Sequence, residues 1–360
     1  MMQRPVLIMA GGTGGHVFPA LAVAQELSAR DVPVVWLGTR RGLEAQIVPA
    51  NGVAIEWLSI VGLRGKGWST TLLFPLRLAR AVLQAWRIFA RLDPCVALGM
   101  GGFVSGPGGL AAWLRRVPLV IHEQNAVPGL TNRTLARVAT RTLEAVPGTF
   151  RRAVDAVVTG NPVRVEISAI APPEQRLPER SKQLRVLIFG GSSGAVALNE
   201  VLPAACAELP DAGDIRIWHQ VGRLADVEGI RSRYRTAGVE AQVEHFITDM
   251  SAAYAWADLV ICRAGAITVA ELAMAGVASV LVPYPYAVDD HQTQNARFLT
   301  AAGAAELLPQ AQLRPAHLAA RLRHYQLDRV QLLNMAYAAR ALAQPDAAST
   351  VAENCLAVAA

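Results

Sequence analysis

Short apolar runs, each followed by a turn and a helical pattern, recur along the whole chain. In the first half they cover residues 6–10, 34–38, 95–99 and 118–122. In the second half they cover residues 186–189, 215–219, 243–246, 258–262 and 278–283. Continuous apolar runs of this length are typical of strands that are buried on both faces of a parallel sheet. Because helical stretches lie between them, the pattern predicts an α/β fold.

Two glycine-rich loops follow strands at equivalent places in the two halves. Residues 11–16 read Gly-Gly-Thr-Gly-Gly-His, and a helical pattern begins after them at Val17, with Pro19 in its first turn. Residues 190–195 read Gly-Gly-Ser-Ser-Gly-Ala and precede a helical stretch that reaches Leu209. A strand, a glycine loop and a helix in this order open a Rossmann-like half.

The sequence therefore predicts two Rossmann-like, doubly wound domains that face a cleft. The first domain is expected over residues 1–162 and the second over residues 163–342, with a hinge at Asn161-Pro162-Val163-Arg164. Residues 343–360 are expected to form a final helix that packs back on the first domain. A third glycine-rich loop, residues 99–109, follows a strand of the first domain, where doubly wound folds place ligands.

The stretch from Asp258 to Asn295 carries the strongest chemical signal. Thr268 stands three residues before Glu271, which is the spacing of a capping box at the start of a helix. The free N–H groups and the dipole of such a helix end attract phosphate. Glu271 could accept two hydrogen bonds from a ribose diol, and the polar residues 289–295 could bind a sugar.

Composition and charge limit the alternatives. Hydrophobic residues make up 52% of the 360 residues and charged residues 17%, yet no long uninterrupted apolar stretch predicts a membrane span and no signal sequence is predicted. The four cysteines are scattered, which fits reduced thiols in a cytoplasm. A net charge of +6 favours anionic partners. Without zinc-finger, RNA-recognition or basic-helix signatures, nucleic acid is not predicted to be a partner.

Residues 61–91 depart from the alternating pattern. Bulky apolar residues and arginines are interspersed there, after a basic loop at 63–67. Such a mixture is typical of a segment that rests on anionic lipid without crossing it, although a core helix with an arginine edge has the same pattern. The residues predicted to contact the membrane are Trp68, Leu72, Leu73, Leu76, Arg77 and Arg80.

Several motifs resemble those of the MurG family of glycosyltransferases. They are residues 11–16 (GGTGGH), 99–107 (GMGGFVSGP), 122–125 (HEQN), 160–164 (GNPVR), 190–192 (GGS) and 263–292. The motifs keep the order and spacing of that family from residue 6 to about residue 340. Several of them are specific to the family and are not generic glycine loops.

The resemblance implies a GT-B fold and an inverting transfer of N-acetylglucosamine (GlcNAc) from UDP-GlcNAc. The implied acceptor is undecaprenyl-diphospho-MurNAc-pentapeptide, whose MurNAc 4-hydroxyl would receive the sugar during peptidoglycan synthesis. A peripheral position on the cytoplasmic side of the inner membrane, in contact with anionic lipid, is implied as well. So is a link to cell shape and cell division through other cell-wall synthesis and division proteins. No cofactor is implied.

The resemblance also assigns roles to individual residues. Two residues are candidates for the general base, His16 and Glu123, and His16 is preferred because the dipole of its helix would keep the imidazole neutral. Arg164 and the helix start would stabilise the departing diphosphate, and with no Asp-x-Asp motif no metal site is predicted. The residues implied to bind UDP-GlcNAc are Thr13, Gly14, Gly15, Asn125, Arg164, Ser192, Ile247, Ala266, Ile267, Thr268, Val269, Ala270, Glu271 and Gln292.

Three other functions fit part of the pattern. A UDP-GlcNAc 2-epimerase would share the fold but would leave residues 61–91 unexplained. A nicotinamide dehydrogenase would use glycine loops, but residues 11–15 lack the G-x-G-x-x-G register and no acidic residue closes the strand at 33–38. A membrane-docked nucleotide sensor would bind UDP without turnover.

Overall fold

The computed structural model describes residues 4–60, 74–177, 183–191 and 194–359, and these residues form two compact units. The first unit comprises Met1–Arg164 and Gln344–Ala360, and the second comprises Val165–Ala343. The sequence predicted divisions after residues 162 and 342, and the structure divides after Arg164 and Ala343.

The first unit is a parallel sheet of seven strands in the order β3-β2-β1-β4-β5-β6-β7. Its strands are β1 (Val6–Met9), β2 (Val34–Gly38), β3 (Ala54–Trp57), β4 (Val96–Gly99), β5 (Leu119–Glu123), β6 (Arg141–Glu144) and β7 (Val157–Val158). Its helices are α1 (Gly14–Ala29), α2 (Glu44–Ala50), α3 (Phe74–Leu92), α4 (Ser105–Leu114), α5 (Leu130–Leu135) and the C-terminal helix (Ala347–Ala359).

Alternate residues of β1 enter two different cores, one on each face of this sheet. Val6 and Ile8 pack with α1 and with Val351 of the C-terminal helix, whereas Leu7 and Met9 pack with residues of α3 and α4. A strand in this position has no face in water, which explains why β1 is apolar at every residue. The C-terminal helix thus completes the core on the α1 face.

The second unit is a parallel sheet of six strands in the order β10-β9-β8-β11-β12-β13. Its strands are β8 (Leu184–Phe189), β9 (Ile215–Gln220), β10 (Glu240–Glu244), β11 (Leu259–Cys262), β12 (Ala278–Leu281) and β13 (Ala305–Leu307). Its helices are α6 (Val165–Ser168), α7 (Pro173–Arg176), α8 (Val196–Ala207), α9 (Val227–Thr236), α10 (Met250–Trp256), α11 (Ala266–Ala275), α12 (His291–Thr300), α13 (Pro315–Leu327) and α14 (Arg329–Ala341). The predicted fold class, two doubly wound α/β domains, is confirmed.

Three local predictions were wrong. Helix α1 begins at Gly14, before the predicted Val17, so Pro19 lies in its second turn. Strand β10 ends at Glu244, whereas the prediction placed it at 243–246. The predicted glycine loop at 99–109 becomes helix α4 at Ser105. An added Cβ at Gly108 would lie 2.4 Å from the Met9 sulfur, so this glycine permits close packing of α4 on β1.

Candidate functional site

Each sheet has one topological switch point, where successive strands depart in opposite directions, and doubly wound folds bind ligands beyond the strand ends there. In the first unit this point lies between β1 and β4, whose following loops are the glycine-rich segments 11–15 and 99–102. In the second unit it lies between β8 and β11, which are followed by residues 190–191 and 263–265. The sheet order therefore places all four loops at switch points.

The two glycine loops of the first unit touch each other. Gly102 has φ of +81°, and an added Cβ there would lie 2.2 Å from the carbonyl oxygen of Gly11. Gly101 has φ of +95°, and an added Cβ would lie 2.5 Å from the imidazole Cδ2 of His16. Only glycine satisfies both the backbone conformation and the close approach at these two positions.

His16, the preferred general base, is the third residue of α1, and its ring packs against Gly101. The Nδ1 atom is enclosed and has no hydrogen-bond partner among the described residues. Burial lowers the pKa of His16, while the Glu123 charge, a hydrogen bond with the Gly11 backbone and the Glu44 charge raise it. The pKa shift favours the neutral imidazole, and burial is its largest cause. The contribution of the helix dipole stays a prediction.

Glu123, the other candidate base, is buried at the end of β5 with 3% of its surface exposed. Its Oε1 accepts hydrogen bonds from the backbone N–H and side-chain amide of Asn125, at 3.1 and 3.0 Å. Its Oε2 accepts from the Gly129 backbone N–H at 3.0 Å and from the Asn132 amide at 2.9 Å. Four protein donors thus surround this carboxylate, an arrangement suited to ordering the 125–132 loop.

His122 precedes Glu123 and is a fully buried member of a polar network. Its Nε2 donates to the Gly160 carbonyl at 3.0 Å, and its Nδ1 accepts from the Gln124 amide at 3.1 Å. The Asn161 amide donates to the Gln124 carbonyl at 3.0 Å. Burial lowers the pKa of His122 to about 4, so the ring is neutral and structural near neutral pH.

Sequence reasoning missed Glu44, the first residue of α2, which is fully buried. Its Oε2 accepts from the backbone N–H of Gly12 at 2.9 Å. Its Oε1 accepts from the backbone N–H and the hydroxyl of Thr39, at 2.9 and 2.7 Å. Its contact with the glycine loop joins residues 32 positions apart, so no local motif could reveal it.

The other predicted residues of the first unit lie near these loops. Thr13 is the exposed N-cap of α1 and makes no side-chain cap hydrogen bond, and Gly14 and Gly15 begin the helix. Asn125 is ordered by Glu123. The Arg164 guanidinium lies over the ring of Phe18, with 4.7 Å from Cζ to the ring centroid, which places a fixed cation beside α1.

In the second unit, helix α11 begins with unused backbone donors. Its N-cap is Gly265 and no side chain caps it, so the predicted capping box of Thr268 and Glu271 is wrong. The first intrahelical hydrogen bond runs from the Val269 N–H to the Gly265 carbonyl at 2.9 Å. The N–H groups of Ala266, Ile267 and Thr268 therefore precede the helical ladder, whereas those of Val269 and Ala270 belong to it.

Glu271 lies one turn further along α11 and is 6% exposed. Its Oε2 accepts a hydrogen bond from the hydroxyl of Tyr254, on α10, at 3.0 Å. The Tyr254 ring in turn contacts Phe189, at the end of β8, edge to face. The carboxylate is thus held beside the switch point in one orientation.

Gln220, at the end of β9, links Gly191, which follows β8, to Ile247, a predicted nucleotide contact. Its Nε2 donates to the Gly191 carbonyl at 2.9 Å, and its Oε1 accepts from the Ile247 backbone N–H at 3.0 Å. The N–H of Ile247 is therefore engaged, and the backbone group it can offer to uracil is its carbonyl. Ser192 lies outside the described residues, so its role stays a prediction.

Gln292, the predicted sugar-binding residue, lies in the first turn of α12. Its Oε1 accepts from the Tyr284 backbone N–H at 2.9 Å, which directs the amide nitrogen of Gln292 as a donor. The guanidinium of Arg263 lies 5.5 Å from the Tyr284 ring centroid and donates to the Val282 and Pro283 carbonyls at 3.1 Å. These contacts fix the segment between β12 and α12.

The predicted membrane segment is described only from residue 74 onward, so Trp68, Leu72 and Leu73 lie outside the described residues. Helix α3 has a buried face formed by Ala81, Ala85, Ile88 and Phe89. Its other face exposes Leu76, Leu83 and Trp86 by 70%, 47% and 42%, beside exposed Arg77, Arg80 and Arg87. The helix combines a core face with an apolar and basic outer face.

No helix among the described residues is both long and apolar enough to cross a membrane. Within residues 4–60, 74–177, 183–191 and 194–359, no cluster of three His, Cys, Asp or Glu side chains could hold a metal ion.

Comparison with protein families matches both units. Residues 6–144 match the glycosyltransferase family 28 N-terminal domain, and residues 185–351 match the glycosyltransferase family 28 C-terminal domain. A protein of Nitrosococcus oceani is 55% identical over 99% of this chain and 99% of its own. A protein of Marinobacter nauticus is 51% identical over 98% of this chain and 97% of its own. Both are named UDP-N-acetylglucosamine–N-acetylmuramyl-(pentapeptide) pyrophosphoryl-undecaprenol N-acetylglucosamine transferase.

Comparison with solved structures also finds proteins similar to this chain. The chain is similar to Acinetobacter baumannii MurG, with a TM-score of 0.84 and 42% identity over 98% of this chain and 99% of the other. It is also similar to a UDP-GlcNAc 2-epimerase of Neisseria meningitidis bound to UDP-GlcNAc, with a TM-score of 0.69 over 98% of this chain and 100% of the other. The identity to the epimerase is 12%, so that likeness concerns the fold alone.

Proposed function

The chain belongs to glycosyltransferase family 28 and within it to the MurG family, and we propose on this basis a reaction and a role for the residues of each unit. The enzyme transfers GlcNAc from UDP-GlcNAc to the MurNAc 4-hydroxyl of undecaprenyl-diphospho-MurNAc-pentapeptide in peptidoglycan synthesis. The observation that carries this function is the 55% identity to a relative of that name over 99% of both chains.

Transfer of labelled GlcNAc from UDP-GlcNAc into a lipid extract that contains the acceptor tests the reaction. A UDP-GlcNAc 2-epimerase, the alternative with the same fold, would instead invert the configuration at C2 of the sugar and would leave the lipid unlabelled. Labelled lipid that depends on the added protein supports transfer, and its absence with active acceptor would contradict the assignment.

The second unit supplies the donor site in this proposal. The free N–H groups of Ala266, Ile267 and Thr268, at the positive end of the α11 dipole, suit the diphosphate. Glu271 takes the ribose hydroxyls, the Ile247 carbonyl takes uracil, and the Gln292 amide takes sugar hydroxyls.

The first unit supplies the chemistry. The neutral imidazole of His16 accepts the proton of the MurNAc hydroxyl while that oxygen forms the new bond to the sugar C1. The bond from C1 to the UDP oxygen breaks with inversion, and UDP leaves with the electron pair. Arg164 and the α11 N–H groups stabilise the negative charge that develops on the diphosphate. Thr13, Gly14, Gly15 and Asn125 contact the reacting sugars.

Glu271→Ala is expected to weaken UDP binding by about 1.5–3 kcal/mol, roughly 10- to 150-fold, because a charged acceptor of two hydroxyls is lost. Calorimetric titration with UDP measures this change. The variant should also unfold at a lower temperature, since Glu271 is buried and holds Tyr254.

Tyr254→Phe is the matched control for this measurement. It removes the hydroxyl that donates to Glu271 and keeps the carboxylate, so it should lower stability and weaken UDP binding much less than Glu271→Ala does. An unaltered dissociation constant for Glu271→Ala would remove this residue from the donor site.

The outer face of α3 is the proposed membrane contact. Exposed Leu76, Leu83 and Trp86 would enter the lipid interface, and Arg77 and Arg80 would pair with anionic headgroups. The acceptor carries an undecaprenyl chain, which resides in a membrane. We therefore place the enzyme on the cytoplasmic side of the inner membrane, as a peripheral protein, with cell-wall synthesis and division proteins as further partners.

Replacing Leu76, Leu83 and Trp86 together with serine is expected to reduce binding to anionic vesicles and to slow transfer to a long-chain acceptor. Transfer to a short-chain, water-soluble acceptor should be nearly spared, because the catalytic loops are untouched. Leu327→Ser with Val330→Ser, at apolar residues of the second unit that are 76% and 68% exposed, is the matched control. Equal loss on both acceptors would show that the α3 residues support folding and do not bind lipid.

A further inference from the structure

Glu44 is a buried negative charge whose hydrogen-bond donors are all neutral. Two backbone N–H groups, of Gly12 and Thr39, and the Thr39 hydroxyl donate to it at 2.7–2.9 Å. Taking a carboxylate out of water is costly even when it is hydrogen-bonded. A neutral side chain could fill the same volume, so the charge itself calls for an explanation.

The chain makes room for this carboxylate with three glycines. An added Cβ would lie 2.6 Å from a Glu44 oxygen at Gly11, 2.8 Å from its Cγ at Gly38 and 2.0 Å from an oxygen at Gly42. These three glycines, all of which precede Glu44 in the chain, let the loops after β1 and β2 approach the same two carboxylate oxygens. The carboxylate therefore lies in an enclosure that two loops, distant from each other in the sequence, form around it.

The loop after β1, which Glu44 binds through Gly12, leads directly into helix α1 and its third residue, His16. Gly12, whose N–H donates to Glu44, lies four residues before His16, and the backbone of the neighbouring Gly11 acts on the pKa of the His16 ring. The charged groups that act on the ring are Glu44, from α2, and Glu123, from the end of β5. Both raise the pKa of His16, against the burial that lowers it.

A charge near the ring matters most when the ring itself becomes charged. During transfer the imidazole takes a proton and becomes a cation, the form that burial of the ring disfavours. A fixed carboxylate stabilises that cation more than it stabilises the neutral ground state. Its hydrogen bonds to Gly12 and Thr39 hold it in place before the reaction begins.

We propose that Glu44 is a positioning residue of the transfer reaction, which fixes the glycine turn below His16 and stabilises the imidazolium by its negative charge. The proposal rests on the proposed role of His16 as the base. Glu44 acts only through the loop after β1 and the imidazole ring of His16, without contacting the sugar or the nucleotide.

Glu44→Gln in the full-length protein tests the proposal. Glutamine keeps the volume but removes the charge. Its single side-chain oxygen can replace only one of the two carboxylate oxygens, so either the Gly12 donor or the Thr39 donors lose their acceptor. We expect kcat to fall about 10- to 100-fold through loss of charge and of loop geometry, with KM for UDP-GlcNAc unchanged. The acidic limb of the pH profile of kcat/KM should move to lower pH, because the pKa of His16 falls when one of the charges that raise it is removed.

Glu144→Gln is the matched control. Glu144 is a buried carboxylate of the same unit that accepts two backbone N–H groups, from Gly148 at 2.8 Å and Phe150 at 2.9 Å, and it is not among the groups that shift the pKa of His16. This variant should lose stability without moving the acidic limb. Glu44→Asp, which retains the charge, should keep the limb near its original pH.

A direct NMR titration of the His16 ring, assigned by its loss in His16→Ala, separates this proposal from the role of the base. A lower pKa of His16 in Glu44→Gln together with a shifted limb supports the proposal. A lower pKa with an unmoved limb would show that Glu44 acts on His16 but that His16 is not the base. An unchanged pKa of His16, or a limb that moves equally in Glu144→Gln, overturns the proposal.

Discussion

His16→Ala is expected to lower the turnover number by about two to four orders of magnitude, the usual range for loss of a general base. The dissociation constant for UDP should be nearly unchanged, because His16 is not among the residues proposed to hold the nucleotide. Steady-state kinetics with saturating UDP-GlcNAc and a short-chain acceptor, together with calorimetric titration of UDP, measure the two quantities. His317→Ala, at an exposed histidine of α13, is the matched control and should leave both unchanged.

The pH dependence of the transfer rate of the parent enzyme follows from the lowered pKa of His16. Burial lowers its pKa below the ordinary value of 6.5, so the imidazole is neutral at neutral pH and accepts a proton. As pH falls through this lowered pKa the ring gains a proton and the rate falls, which produces the acidic limb. A limb that persists unchanged in the residual activity of His16→Ala would assign it to another group and would contradict the role of His16.

The central strands could be predicted from sequence because burial on both faces leaves a direct signal. In β1 every residue is buried, Val6 and Ile8 toward one core and Leu7 and Met9 toward the other, and the apolar run is continuous. Strands β6 and β7 lack this signal, since β6 (Arg141–Glu144) mixes charged and apolar residues and β7 has two exposed valines. The edge strand β7 is solvated, and β6 beside it buries the polar residues Thr142 and Glu144, so neither strand leaves a continuous apolar run in the sequence.

The start of α11 shows how tertiary packing overrides a local motif. The spacing of Thr268 and Glu271 fits a capping box with Thr268 as the N-cap, but the observed N-cap is Gly265, three residues earlier, and the helix begins at Ala266. Glu271 is drawn into the interior by its hydrogen bond with Tyr254, from another helix. The sequence correctly placed a helix start after β11, and only the structure shows that its N–H groups are uncapped.

The two carboxylates around His16 differ in how far sequence could reveal them. Glu123 stands at the end of a predicted strand in a motif of the family, so it was a candidate from the start. Glu44 has no such context, because its partners Gly12 and Thr39 are brought to it by the fold. Distant hydrogen bonds of this kind leave no periodic or spacing signal in the chain.

Glu123→Ala is expected to lower the free energy of unfolding by about 3–5 kcal/mol, which is large for a single substitution. The reason is that four donors, from Asn125, Gly129 and Asn132, lose their acceptor in a buried site. Urea unfolding followed by circular dichroism measures the loss. Glu144→Ala, which removes the acceptor of two backbone N–H groups, should lower the free energy of unfolding by a smaller amount.

A second substitution of Glu123 decides whether His16 or Glu123 is the general base. Glu123→Gln keeps the volume and part of the hydrogen bonding, so it should fold, order the 125–132 loop less well and retain an acidic limb. That limb should lie at lower pH than in the parent, because the Glu123 charge raises the pKa of His16. If Glu123→Gln abolishes the limb while the residual activity of His16→Ala preserves it, Glu123 is the base and His16 positions the acceptor. The four hydrogen bonds that occupy the Glu123 carboxylate favour the first outcome, since a base must have a free lone pair for the incoming proton.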